Sequence, residues 1–253
     1  MKEQIKNIIL SDAFTLAEVL ITLGVIGIVA ALTIPSLMGN AQKGAYVSGA
    51  IKYQSVLQNA VMKYRADNGY SDLLQSDIFN NGGASAAGTQ RAWDALKTNF
   101  ILSKDCSMSI GQGCFPSNLK FLNNIDVTGP NQNPDTYSDF AKGIFNDGAM
   151  IYFYDEGGNC NTDRSISHAG ELSTECGYIF IDVNGMKSPN KYGRDIFIYW
   201  ILANGKITPG GSSDDYGKGC DPTSADITVG NDGSAGTGMG CTYEVVMKKA
   251  ANY

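Results

Sequence analysis

The chain has 253 residues, enough for one globular domain with an extension and a real hydrophobic core. Only 17% of its residues are charged, glycine occurs 30 times, and the formal net charge is −6. That balance argues against a long soluble coiled coil and against non-specific nucleic-acid binding, since an acidic surface repels phosphate.

The first 13 residues, MKEQIKNIILSDA, form a short polar leader carrying Lys2 and Lys6. Phe14-Thr15-Leu16-Ala17-Glu18 follows, and then a run from Val19 to Gln42 without a charged residue. A helix of about 20 apolar residues spans the hydrocarbon of a bilayer. Leader lysines before the span and Lys43 as the first basic residue after it favour the leader inside and the remainder outside. Glu18 is anomalous, because a carboxylate at the edge of a membrane helix is costly unless paired or drawn to the interface. It is either an interfacial acid favoured by the helix dipole or one half of a buried ion pair. Gly24, Gly27 and Pro35 weaken the helix locally or ease close packing.

Ala13-Phe14-Thr15-Leu16-Ala17-Glu18 followed by VLITLGVIGIVAALTIPSL resembles the signal of type IV prepilins and type II secretion pseudopilins. The pattern joins a small residue before the cut, Phe after it, Glu fifth in the mature chain (18 − 13 = 5) and Pro35 twenty-second (35 − 13 = 22). Ala13 stands where that family usually has Gly. The resemblance implies cleavage by a prepilin peptidase between Ala13 and Phe14 and N-methylation of Phe14. It gives Glu18 a partner in assembly, the Phe14 ammonium of a neighbouring subunit, and makes Pro35 part of the spine that loosens as subunits leave the bilayer. It further implies a single-pass inner-membrane stage, an assembly platform there, and other pilins as partners in a pilus or pseudopilus. The competing reading is an ordinary secretory signal peptide cut near Val29-Ala30-Ala31, which leaves Glu18 unexplained.

From Ala41 to Asp67 the apolar positions Tyr46, Ala50, Tyr53, Leu57, Ala60 or Val61, and Tyr64 recur at steps of three and four. They predict a helical face continuing the membrane run, about 50 residues in all and ended by Asn68-Gly69. The tyrosines at this spacing read as core rather than as an electron-conducting stripe. Asn80 to Thr89 reads as a loop, Arg91 to Leu102 as a second helix with Ala92, Trp93, Leu96 and Phe100 on one side, and 103–140 as irregular. The period then changes. Ala149–Tyr154, Tyr178–Val183, Asp195–Leu202 and Lys206–Thr208 read as strands, with turns at Asn146-Asp147-Gly148, Asn184-Gly185 and Asn204-Gly205. The tail 242–253 fits either a last strand or a short helix. The expected fold is α+β and pilin-like: a long N-terminal helix packed on an antiparallel sheet of three to five strands in a globular head. Its divisions are a leader (1–13), a membrane and filament-spine segment (14–38), and the amphipathic half-helix with the head (39–253). Residues 181–197, containing Ile181-Asp182-Val183-Asn184-Gly185 and Gly193-Arg194-Asp195, also resemble a segment of many prepilin-like heads.

The six cysteines, Cys106, Cys114, Cys160, Cys176, Cys220 and Cys241, all follow the apolar segment. An even number on one side of a membrane span points to disulfides in an oxidising compartment. Zinc would require closer Cys pairs than any present. Pairing each cysteine with its sequence neighbour closes three polar, glycine-containing loops, although Cys176 could also reach the region of Cys220. No nucleophile or phosphate-loop motif accompanies His168 or the run Gly230 to Gly240, and no enzymatic activity or resident cofactor is expected. Asp182 and Asn184 offer hard oxygens for calcium, as in some pseudopilin heads, but lack the remaining ligands of a 12-residue loop. The function expected is that of a structural filament subunit. A minor pilin or tip adhesin, or a tethered or secreted protein with an ordinary signal peptide, is the alternative.

Overall fold

The computed structural model describes residues 14–79, 85–128, 133–215, 219–227 and 235–251. The leader with Ala13, the start of the loop expected over Asn80–Thr89 and the start of the run Gly230 to Gly240 lie outside the described residues. The chain divides between Gln42 and Lys43 into two units. Helix α1, Leu16–Asn68, contributes to both.

The end of α1 follows from its sequence. Gly69 takes the left-handed conformation (φ 72°), letting its N–H reach the Ala66 carbonyl and the Tyr70 N–H reach the Arg65 carbonyl. These two bonds satisfy carbonyls that the last helical turn leaves open. In the head unit the helix buries Tyr46, Val47, Ala50, Tyr53, Leu57, Ala60 and Val61, the face expected from the apolar steps. A second helix, α2, covers Ala86–Leu96 rather than Arg91–Leu102. Ser85 caps it by accepting from the Gly88 N–H at 3.1 Å, so helix starts where a loop was expected. A third, α3, covers Cys241–Lys248 and settles the tail as helical there.

Six antiparallel strands form one open sheet in sequence order: β1 Leu102–Ser107, β2 Ala141–Phe145, β3 Met150–Asp155, β4 Glu175–Asp182, β5 Ile196–Leu202 and β6 Ile207–Pro209. The long helix on an antiparallel sheet is the α+β arrangement expected from the sequence, with one strand beyond the expected range. Asn146-Asp147-Gly148 and Asn204-Gly205 turn β2 into β3 and β5 into β6. Asn184-Gly185 corrects the hairpin reading, because it opens a long connection closed by Val183 N–H to the Asp195 carbonyl at 2.9 Å.

Both faces of the sheet are covered. Ile151, Phe153, Ile179, Ile181, Phe197, Tyr199 and Ile201 pack toward α1 and α2. The alternate residues Tyr152, Phe180, Ile198 and Trp200 pack on the other face under Phe115, Leu119, Phe121 and Phe140. The connection expected to be merely irregular therefore supplies a second hydrophobic layer. That layer explains why β3 to β5 read as continuous apolar runs rather than alternating ones.

Candidate assembly segment

The N-terminal unit exposes what a soluble protein buries. Phe14, Leu16, Leu20, Ile21, Leu23, Ile26, Ile28 and Leu32 are all open, from 60% to 86% exposed. Each such side chain gains about 1.5–3 kcal/mol on leaving water, so a row of them seeks an apolar surround. The segment is long and apolar enough to cross a membrane. Two of its hydroxyls bond back to the helix: Thr22 donates to the Val19 carbonyl and Thr33 to the Val29 carbonyl, which spares them a loose donor in an apolar medium. The helix continues through Pro35, whose missing N–H leaves the Ala31 carbonyl without its ordinary donor. No atoms outside the local helix backbone approach Gly24 or Gly27 within 4 Å of an added Cβ, so both stay available for close packing.

Glu18 sits in the first turn of the helix and is locked to Thr15. The Thr15 N–H and hydroxyl both donate to Glu18 Oε2, at 2.9 and 2.8 Å, and the Glu18 N–H donates to Thr15 Oγ1 at 3.2 Å. This reciprocal cap satisfies two of the open donors at a helix N-terminus and holds the carboxylate against the positive end of the dipole. The Thr-x-x-Glu spacing was present in the sequence as a capping signal, which the reading of Glu18 did not use. Phe14 stands just before this cap, and Ala13 lies outside the described residues.

In the head, Cys106 joins Cys114, Cys160 joins Cys176, and Cys220 joins Cys241. The first ties the end of β1 to the loop layer, the second secures the start of β4, and the third fixes the start of α3. Each closed loop loses freedom in the unfolded chain, on the order of 3 kcal/mol for a 15-residue loop.

The calcium reading fits poorly. Asp182 and Asn184 do lie together, the Asn184 N–H donating to Asp182 Oδ1 at 3.1 Å, and Asp182 Oδ2 and Asn184 Oδ1 are buried without a partner. Two open oxygens fall short of the six to eight that calcium takes. Among the described residues no group of three His, Cys, Asp or Glu side chains could hold a metal ion. Burial, and next the charge of Asp195, push the Asp182 carboxyl up to about 9, so a proton neutralises it. His168 is exposed, with Nδ1 2.9 Å from Asp163 Oδ2, while the Ser165 hydroxyl donates to Asp163 Oδ1 at 2.6 Å. The acid thus lies between serine and histidine, whereas a hydrolytic triad requires the histidine in the middle.

No family model and no solved structure matches the chain. The type II secretion system core protein G of Aeromonas hydrophila is 42% identical to it over 57 residues, which is 22% of this chain and 39% of that protein. The chain thus spans well under half the length of the curated relative it matches. This partial similarity, with the long helix on an open antiparallel sheet, supports the general pilin and pseudopilin family. The architecture, one long apolar N-terminal helix with an open six-stranded antiparallel sheet, is pilin-like, and the helix is suited to a membrane-associated stage.

Proposed function

We propose that this chain is a structural subunit of an extracytoplasmic filament, either a type IV pilus or a type II secretion pseudopilus. The observation that carries the reading is the apolar row from Phe14 to Met38, exposed along its length while the head closes two cores of its own. In the bilayer, lipid covers that row; in a filament, the helices of neighbouring subunits do. A prepilin peptidase removes residues 1–13 between Ala13 and Phe14, and the new Phe14 amine is methylated. Residues 14–38 then anchor the subunit in the inner membrane with residues 39–253 outside, until the assembly platform adds it to the filament beside other pilins. In the apolar spine the Glu18 carboxylate meets the Phe14 ammonium of a neighbour, each offsetting the cost of burying the other. Intact mass of the protein from the membrane fraction tests this directly. A chain beginning at Phe14 with one added methyl is expected, and a chain beginning at Leu32 would refute it.

A further inference from the structure

The head distributes its charge unevenly along its strands. β3, β4 and β5 are antiparallel, so the 183–195 connection lies at one end of the sheet and the connections 156–174 and 203–206 at the other. The eight residues of β4, at about 3.3 Å each, separate the two ends by about 25 Å.

The first end is cationic. Lys187, Lys191 and Arg194 lie in the 183–195 connection, and Lys120 joins them through Tyr192 N–H to the Lys120 carbonyl at 3.0 Å. Burial lowers the Lys191 pKa, and the charges of Arg194 and Lys120 lower it further against the opposing charge of Asp195. Lys120 pairs with Asp126, and Lys191 reaches the Asn124 side-chain oxygen. Among the described residues Lys187 and Arg194 have no carboxylate partner. Asp182 and Asp195 lie buried below; Asp182, pushed up to about 9, is protonated at neutral pH, whereas Asp195, at about 6, keeps most of its charge.

The other end has a surplus of acids, although Arg65 of α1 reaches it to donate to the Asn204 carbonyl at 2.6 Å. Arg164 is already held between Glu156 and Glu175, and Lys206 by Glu171. Asp163 is left with Ser165 and His168, and Asp214 with the Ser167 N–H and hydroxyl. Each end also carries a partly exposed apolar side chain, Met186 at the cationic end and Ile166 at the acidic one.

We propose that the cationic end of one head, Lys120, Lys187, Lys191 and Arg194, docks on the acidic end, Asp163 and Asp214, of a second copy of this chain. The inference rests on the filament reading and assigns the contact between its heads. A chain of net charge −6 repels a polyanion over most of its surface, whereas a copy of itself presents the matching pole. Two different patches meeting on identical chains form a head-to-tail contact, which repeats without closing when its rotation does not complete a ring.

A zero-length carbodiimide cross-linker on assembled full-length protein tests this. The two poles lie too far apart within one head to be joined, so any peptide linking Lys187 or Lys191 to Asp163 or Asp214 reports two subunits. Such peptides are expected. The double variant Lys187→Glu/Lys191→Glu should lower filament yield about tenfold, and adding Asp163→Lys/Asp214→Lys to the same chain should restore it. Thermal unfolding of each variant checks that the head still folds, and the cross-linking needs no variant. Links from these lysines only to other carboxylates would overturn the proposal while leaving the filament reading intact. So would normal filament yield from Lys187→Glu/Lys191→Glu alone, or loss of its binding to anionic vesicles with assembly unchanged. If the wild-type chain forms no filament at all, the filament reading fails and this contact with it.

Discussion

The Tyr199 hydroxyl donates to the Ala50 carbonyl of α1 at 2.7 Å, with both residues fully buried. A helical carbonyl has a second lone pair, so this bond ties the centre of the sheet to the helix without disturbing the helix ladder. It requires close approach, and Gly49 supplies it: a Cβ at that position would lie 2.8 Å from Val183 Cβ. Gly49→Ala is therefore expected to destabilise the head by about 1–3 kcal/mol, and Tyr199→Phe by about 1 kcal/mol. Denaturant unfolding measures both. If Gly49→Ala were neutral or stabilising, helix propensity would outweigh the contact with Val183.

Buried aspartates set a second expectation. Burial raises Asp155 and Asp195 to about 6, and burial with the charge of Asp195 raises Asp182 to about 9. A carboxyl whose folded pKa exceeds its unfolded value, near 3.9, holds its proton more tightly in the folded state. Its stabilisation is complete below the unfolded pKa and is lost as pH rises through the folded one. Stability should thus fall from pH 5 to about pH 8, above which relief of the buried Lys142 begins to oppose it, and Asp182 alone should contribute a slope of at most about 1.4 kcal/mol per pH unit. Melting curves across that range check the trend. Asp182→Asn should flatten it between pH 7 and 8, where Asp182 alone of the three aspartates still titrates and Lys142 is still mostly charged.

Much of this was legible in the sequence because it follows from periodicity. Tyr46, Ala50, Tyr53 and Leu57 announce their face by steps of three and four, and Asn146-Asp147-Gly148 and Asn204-Gly205 announce their turns. Strand β1, LSKDCS, could not be read that way, because it is an edge strand with Ser103, Lys104 and Asp105 exposed. The outer layer was hidden for a different reason. Phe115, Leu119, Phe121 and Phe140 have no regular spacing, and only the tertiary fold brings them to one face. In the N-terminal unit, Glu18 was conspicuous as a lone charge, yet its bond to Thr15 depends on a local cap that hydropathy does not reveal.

On the proposed filament reading, that cap bears on assembly. Glu18→Ala should leave processing at Phe14 intact, since the change lies beyond the cut, but should reduce filament yield sharply. Two losses combine: the neighbouring Phe14 ammonium is left in an apolar spine without its partner, and the first turn of α1 loses the Thr15 bond. Glu18→Gln separates them, because an amide can still accept from Thr15 but carries no charge. Immunoblots for the processed chain and filament counts by microscopy provide the readout. Normal filaments from Glu18→Gln would remove the ion pair from the account while keeping the cap.

Lys142 offers the last test, because it is fully buried and yet forms no ion pair within 4 Å among the described residues. Its ammonium donates to the carbonyls of Pro134 at 2.8 Å, Phe140 at 3.1 Å and Tyr137 at 3.4 Å, gathering residues 133–140 against β2. That loop holds Phe140, whose ring meets Tyr152 at 5.0 Å and Tyr154 at 5.2 Å over the outer sheet face. Burial lowers the Lys142 pKa to about 8, partly offset by the charge of Asp135. A base with a depressed folded pKa destabilises the protein below that value, and the penalty is relieved as pH rises from about 8 toward 10.4. Lys142→Met keeps the length of the side chain and removes that penalty, but leaves three carbonyls without a donor. Unpartnered buried acceptors cost about 1–3 kcal/mol each, more than the relief, so a net loss of about 2 kcal/mol is expected. Hydrogen exchange should locate the damage in the amides of 133–140, with the α1 face of the sheet little changed. A variant as stable as the parent, with unaltered exchange in that loop, would show that packing of Phe140 alone holds the outer layer in place.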